Sequence, residues 1–401
     1  MRLVASMVVL GVGLLGCSGD DATEGTAGAG GTGAAGQGGT GGTGGTGGSV
    51  VVGGGDTHSH GSAITVAGSG FGSKATAAPY RSSFHHPETA QNFQQSGSFE
   101  GSHFSPVSEV MITLHDDGDG VRVSGLDSHR YNVRLEYSAV GNWEAGGYSA
   151  GVQVGLPPSR TLYMSWWDYF EPGFDASPME TGGKNFKWIY NSAGHNPHAA
   201  ISVMNDGAAF LVSAAGGVAG DTPEEQDANL ELPLGGGFYA RPLSWSPHFA
   251  FPVGSWYHVE IFYQVNSAVG VQDGWTAMRI DNQLIYRANQ IDVYGADEPD
   301  EFFNNLRLGG NYGHDDSGLV QYRHYGDVYI DDTFAHVVIG DQPSYDDCQH
   351  LELQVATAWS EEEITFTLNQ GAFDVGDTVY AYVVDADLLP HGPSAIQIGA
   401  P

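Results

Sequence analysis

Basic side chains are scarce in this chain, and four of them alternate with apolar residues. The chain has 401 residues, with 14 lysines and arginines against 47 aspartates and glutamates. Successive side chains of a β-strand point to opposite faces, so a cation between two apolar residues faces away from the core. Arg134, Lys187, Arg279 and Arg307 all have this position. Arginine binds carboxylate or sulfate groups through paired hydrogen bonds, so such a face would suit an anionic ligand.

Aromatic and polar residues alternate in similar stretches, and aromatic rings stack on the faces of sugars. We therefore predict a surface that recognises polysaccharide, expected to be anionic. It consists of Arg134, Glu136, Tyr163, Trp167, Lys187, Glu260, Gln264, Arg279 and Arg307. The alternative is that these are ordinary solvent-facing strand residues, with Glu136 and Glu260 as ion-pair partners of the cations.

The same residues could cleave a uronate chain by β-elimination. One group must neutralise the uronate carboxylate, one must remove the proton at C5, and one must protonate the leaving oxygen. Arg134 or Gln264 could do the first, and His198, His258 and Tyr163 could do the others. The chain carries 16 histidines, so one histidine on this face is a weak indication.

A short acidic loop has the oxygen density of a calcium site. Residues His115-Asp116-Asp117-Gly118-Asp119-Gly120 lack the full EF-hand series and its final glutamate. As a tight turn between strands, the loop needs no metal.

The elements that must position these residues are strands. Short runs with period-two alternation recur between glycine, asparagine, aspartate and proline, which is typical of a sandwich or jelly roll. The predicted strands are Tyr131–Val140, Thr161–Phe170, Lys184–Tyr190, His198–Met204, Trp256–Val265, Trp275–Ile280, Asn305–Leu308, Asp327–Ile330 and Phe334–Ile339.

Four segments, 254–260, 273–275, 279–283 and 326–332, resemble the closing half of a concanavalin A-like jelly roll. That superfamily includes laminin-G-like lectins, glucanases and polysaccharide lyases. The resemblance covers residues 95–341 and implies an antiparallel jelly roll that binds ligand on a concave face. It also implies a structural Ca²⁺ near the last strand, at Asp327. The glucanase Glu-x-Asp-x-x-Glu run is absent from the sequence, which removes the simplest retaining-hydrolase interpretation.

A second resemblance is divided between the two ends of the body. Residues 64–72 resemble the first strand and turn of an IPT/TIG immunoglobulin-like domain, and residues 359–360, 364–368 and 379–384 resemble its later strands. This implies a smaller β-sandwich made of residues 63–84 and 345–401, with the jelly roll inserted in it. The alternative is a separate C-terminal sandwich, with residues 63–84 added to the jelly roll.

The N-terminus has the pattern of an exported lipoprotein. Arg2 precedes an apolar run, Leu3–Leu15, that is too short to span a bilayer permanently. Leu14-Leu15-Gly16-Cys17 resembles the bacterial lipobox, which implies removal of residues 1–16 and lipidation of Cys17. The low-complexity residues that follow, up to 62, form a flexible tether. Ser18 after the cysteine suggests the outer membrane.

Composition narrows the functional classes. A net charge of −33 argues against nucleic acid as a partner. Cys348 is the only cysteine besides Cys17, and we expect it to be a small buried apolar residue. Three hypotheses remain: a surface-tethered lipoprotein that binds polysaccharide, a polysaccharide lyase, and a structural envelope protein that binds nothing. The bilayer contact would be through the acylated N-terminus, and calcium is the only cofactor expected.

Overall fold

The described part of the chain consists mainly of β-strands. The structure, a computed structural model, describes residues 57–75, 159–174, 251–268, 271–291 and 321–400, together with shorter segments and the strand backbones between them. Within that part of the chain, the only helical element is a 3-10 turn at Tyr345–Asp347. The all-β class predicted from the alternating runs is confirmed: the strands form a jelly-roll-like sandwich and a smaller sandwich. No helix in the described residues is long and apolar enough to cross a membrane.

The first jelly-roll sheet contains most of the residues singled out above. Strands are numbered along the chain. In spatial order the sheet consists of β13 (Gly217–Val218), β19 (Gln283–Asp292), β18 (Gly274–Ile280), β17 (Trp256–Gln264), β9 (Thr161–Phe170), β21 (Val320–Asp331), β7 (Asn132–Ser138) and β6 (Ile112–His115), with β14 (Leu230–Glu231) beside β19 and β4 (Arg81–Ser82) beside β21. The predicted strand Thr161–Phe170 has the same bounds in the structure.

The second jelly-roll sheet is also antiparallel. Its order is β15 (Gly236–Phe238), β16 (Ser244–Pro247), β12 (Phe210–Ser213), β11 (His198–Val203), β10 (Gly183–Tyr190), β20 (Phe303–Asn311), β8 (Ser149–Ser159) and β5 (Phe104–Pro106).

The small sandwich joins residues from both ends of the described chain. Its order is β1 (Val51–Gly53), β3 (Ala63–Ala67), β24 (Glu363–Thr367), β23 (Leu351–Trp359), β22 (His336–Gly340), β25 (Thr378–Val384), β26 (Pro390–Gly399) and β2 (Thr57–Ser59). Strand β22 lies within residues 95–341 of the sequence, yet it pairs with β23 and β25 of the small sandwich. Cys348 is buried there, as predicted, and burial raises the pKa of its thiol to about 11.

One face of the first jelly-roll sheet packs into the hydrophobic core. Leu162, Met164 and Trp166 of β9 lie beside Val259 and Ile261 of β17, and all five are at most 2% exposed. Alternation therefore places Tyr163, Ser165, Trp167 and Tyr169 on the opposite face of the sheet, which we call the polar face.

Candidate functional site

The polar face is built by cross-strand neighbours of β9. On β17, His258 is opposite Trp167, Glu260 is opposite Ser165, and Phe262 is opposite Tyr163. Arg279 of β18 is in turn opposite Glu260. The alternation argument thus placed the predicted residues of these three strands on one face.

The small sandwich covers the middle of the polar face. His336 of β22 stacks on Tyr163, with ring centroids 4.4 Å apart. His350, just before β23, lies 5.2 Å from the Trp167 ring. Leu353 of β23 packs against the cluster that contains Tyr163. The middle of this face is therefore an internal boundary rather than a surface.

This covering corrects both the predicted binding set and the predicted catalytic role of His258. Tyr163 and Glu260 are 0% exposed, His258 is 1% exposed and Trp167 is 6% exposed, so none of the four can contact a polymer in this arrangement. The prediction failed because alternation identifies a face but not what packs on it.

Two further members of the predicted set are held by local contacts. Arg279, half-buried, donates from Nη1 to the Tyr345 hydroxyl at 3.4 Å. Gln264, also half-buried, accepts from the Thr161 hydroxyl at 2.7 Å and donates to the Val265 carbonyl at 3.2 Å. Both side chains therefore serve internal contacts.

Two members of the predicted lyase constellation, Tyr163 and His258, are buried. The Tyr163 hydroxyl donates to Glu260 Oε1 at 2.7 Å, and the Ser165 hydroxyl lies 2.6 Å from His258 Nε2. Burial, followed by the charge of Glu260, raises the pKa of Tyr163 well above its ordinary value. A tyrosine that removes or delivers a proton needs a pKa near the working pH, so Tyr163 is poorly suited to that role.

Two more ionisable groups meet in this interior. Burial lowers the pKa of His336 to about 4. Burial raises the pKa of Glu260, but His258, His336 and Arg279 lower it by more, so the net shift is downward. The carboxylate is stabilised there by the protein's own groups.

The four predicted cations do not share one sheet. Lys187 of β10 and Arg307 of β20 occupy opposite register positions in the second jelly-roll sheet. His198, a candidate catalytic residue, begins β11 of that same sheet. Arg134 lies on β7 of the first sheet, where Glu136 is opposite Tyr322. The prediction of a single cationic face is therefore wrong, because it assigned strands that are distant in sequence to one sheet.

One end of the polar face is partly exposed. Trp256, Tyr169, His324 and Arg134 are consecutive neighbours across β17, β9, β21 and β7, and we call them the aromatic–arginine row. The Trp256 and Tyr169 rings are 5.3 Å apart, and His324 meets both edge-on. Trp256 and Arg134 are half-exposed, whereas Tyr169 and His324, which lie between them in the row, are buried. This end has solvent access where the middle has none.

Arg134 is held in place by two neighbours. Its guanidinium carbon lies 3.4 Å from the centre of the Tyr322 ring. Its Nη2 lies 2.9 Å from Glu171 Oε1, and His324 Nε2 lies 2.9 Å from the same oxygen. Stacking and an ion pair together fix the plane of the guanidinium.

Two turns form the rim of the row. Gly254, at φ +79, makes the turn before β17, and its N–H donates to the Phe170 carbonyl at 2.8 Å. Next to it, Val253 is 43% exposed, and Pro172 of the facing turn is also exposed. The row thus has an apolar rim beside the Trp256 ring.

Sequence reasoning found Arg134 but missed the rest of this end. Tyr169 continues the alternation of Tyr163 and Trp167, and that signal was available. His324 lies in the part of β21 that precedes the predicted Asp327–Ile330 strand. Glu171 follows the end of β9, where no alternation marks it.

The predicted calcium site is only partly within the described residues. Asp327 adopts φ +50 and lines a small cavity with Ser165, Glu352 and Asn369. The described residues contain no group of three histidine, cysteine or carboxylate side chains that could hold a metal. Residues 116–120 of the acidic loop lie outside the described part, so calcium stays a prediction.

Comparison with known proteins gives distant structural similarities. No family model and no curated protein matches the chain. An endo-β-1,4-glucuronan lyase from the fungus Trichoderma reesei is 12% identical, with a TM-score of 0.43, over 64% of this chain and 97% of that one. An alginate lyase from Chlorella virus is 12% identical, with a TM-score of 0.41, over 63% and 99%. The binding domain of botulinum neurotoxin serotype C1 is 10% identical, with a TM-score of 0.36, over 77% and 71%. Similarities at this level do not identify an activity.

Proposed function

We propose that this protein binds polysaccharide at the aromatic–arginine row. The observation that carries the proposal is the half-exposed Trp256 ring, which contacts the buried rings of Tyr169 and His324. The half-exposed Arg134 lies at the other end of the same row, opposite His324. A fixed aromatic ring offers a flat apolar surface to one sugar of a polymer, and a guanidinium further along the row offers hydrogen bonds to the hydroxyls of another. Rings already held by neighbours lose little conformational entropy when they bind.

Binding is favoured over β-elimination because the small sandwich covers the middle of the polar face. Two of the three candidate base and acid groups, Tyr163 and His258, are at most 1% exposed under the small sandwich, and the third, His198, lies on the other jelly-roll sheet. A lyase would have to displace that sandwich before its substrate could reach them. The row needs no such displacement.

The strands Val51–Gly53 and Thr57–Ser59 belong to the small sandwich, so the predicted tether cannot extend to residue 62. We further propose that Cys17 carries the lipid anchor and that the residues between Cys17 and Val51 tether the binding domain to the outer membrane. The apolar run, the cysteine at its end and the glycine-rich segment support this arrangement.

The proposal is tested with the full chain in detergent on a panel of immobilised polysaccharides. The panel contains glucan, mannan and galactan, each with a counterpart oxidised at C6 to the uronate, together with alginate and pectate. Unsaturated-uronate absorbance is followed on the same ligands. We expect saturable binding to at least one polymer without unsaturated product. Binding to none would refute polysaccharide recognition, and unsaturated product would establish the lyase in its place.

A further inference from the structure

The carboxylate of Glu171 is paired with Arg134 and His324 at the Arg134 end of the aromatic–arginine row. Resting on the proposed function, we propose that Glu171 is an internal counter-charge that makes the aromatic–arginine row select neutral over anionic polysaccharide. This reverses the ligand charge expected from the sequence.

Three donors converge on one oxygen of Glu171. Arg134 Nε is 3.0 Å from Oε1, and Arg134 Nη2 and His324 Nε2 are each 2.9 Å from it. A uronate or sulfate bound at the Arg134 end of the row would compete with Glu171 for the Nε and Nη2 donors of Arg134, because arginine recognises such groups through its paired N–H bonds. In this arrangement they are already engaged.

The position of Glu171 is fixed by its backbone. Its N–H donates to the Tyr322 carbonyl at 3.2 Å, and its carbonyl accepts from the Phe174 N–H at 3.0 Å in the turn after β9. The side chain is only about a fifth exposed, at 22%. An acidic sugar would therefore compete with a carboxylate that is already ordered. The conformational entropy of the Glu171 side chain is lost when the protein folds, whereas the sugar loses its own entropy on binding.

Other cations around this sheet are similarly engaged. Lys74 Nζ lies 2.6 Å from Asp331, and Arg323 Nε lies 2.8 Å from Asp168. The chain as a whole carries a net charge of −33, which repels an anionic polymer at low ionic strength. A neutral sugar meets neither obstacle and still has the Trp256 ring.

Glu171→Gln removes the counter-charge while keeping the size of the side chain. The charge of Arg134 then becomes available to a ligand carboxylate. A hydrogen bond to a charged group typically changes affinity about ten- to a hundredfold. Glu363→Gln is the matched control, because Glu363 is exposed on β24 of the small sandwich and its loss changes the net charge equally.

The experiment measures affinity for the tightest-bound neutral polymer of the panel and for its C6-oxidised counterpart. We expect the wild-type chain to bind the neutral polymer at least about tenfold more tightly. Glu171→Gln should shift this ratio toward the oxidised polymer by at least about tenfold, whereas Glu363→Gln should leave it unchanged. Adding Arg134→Gln to Glu171→Gln should abolish the shift.

Two results would overturn the inference. One is a wild-type chain that binds oxidised polymers as tightly as neutral ones or binds anionic polymers alone, in which case polysaccharide recognition survives. The other is a folded Glu171→Gln variant with an unchanged ratio. Binding to no polymer at all would instead refute the proposed function.

Discussion

Two buried residues lie at the boundary between the first jelly-roll sheet and the small sandwich, and their pKa values shift in opposite directions. Burial raises the pKa of Asp331 to about 6, although Lys74 lies 2.6 Å away. Burial lowers the pKa of His336 to about 4. The contribution of Asp331 to stability is present at low pH and lost as pH rises through about 6. That of His336 is present at neutral pH and lost as pH falls from about 6.5 toward 4.

These opposite effects predict that Asp331→Asn will make the protein more sensitive to acid. In the wild-type chain, the gain from protonating Asp331 offsets the loss from protonating His336. The Asp331→Asn variant keeps only the destabilisation that comes from protonating His336. Between pH 7 and pH 4, its free energy of unfolding should fall more steeply than that of the wild type, by up to roughly 3 kcal/mol.

The measurement is denaturant unfolding at several pH values. His336→Gln is the matched variant and should show a shallower fall than the wild type, because it removes the opposing group. Three parallel curves would show that neither residue titrates as its burial requires.

At the scale of single elements, the sequence pattern predicted where strands occur, but it did not predict which strands pair with each other. The bounds of β9 were predicted correctly because Thr161–Phe170 is an aromatic-rich apolar run without glycine or proline, and Pro172 and Gly173 follow it. The position of β22 was not predicted, because Phe334–Ile339 reads as a strand whichever sheet it joins. Burial of Glu260 could not be predicted either, since it depends on β22 and β23, which lie about 80 or more residues later in the chain.

The pairing of β3 with β24 allows a direct test of the discontinuous small sandwich that we propose. Thr65 is opposite Thr365, and their hydroxyl oxygens are 3.0 Å apart. Thr65→Cys/Thr365→Cys should therefore form an intrachain disulfide under mild oxidation, since directly opposed cross-strand residues have close Cβ atoms.

The readout is the loss of alkylatable thiols, measured by mass spectrometry. Thr65→Cys/Thr367→Cys is the control, because Thr367 is opposite Ala63 and lies two pairs further along the strand. Equal disulfide formation in both variants, or in neither, would contradict this register and the split sandwich with it.

At the scale of the whole molecule, the proposed anchor predicts a change of compartment. Cys17→Ala removes the residue that would carry the lipid. We expect this variant to leave the membrane fraction or to accumulate as an uncleaved precursor, since the apolar run is too short for stable spanning. Detergent phase partitioning with immunodetection measures this. A processed Cys17→Ala chain that stays in the detergent phase would exclude lipidation at this cysteine.

The central claim is that polysaccharide binds at the aromatic–arginine row, and two tryptophans of one sheet test it. Trp256 lies in the row, whereas Trp275 of β18 is also half-buried but packs against Phe334, 4.9 Å away, and Arg287, 5.0 Å away. The affinity of the full chain for its tightest-bound panel polymer is measured for both alanine variants. We predict that Trp256→Ala weakens binding at least about tenfold and that Trp275→Ala leaves it unchanged. Unchanged binding by a folded Trp256→Ala variant, or equal losses in both, would contradict the claim.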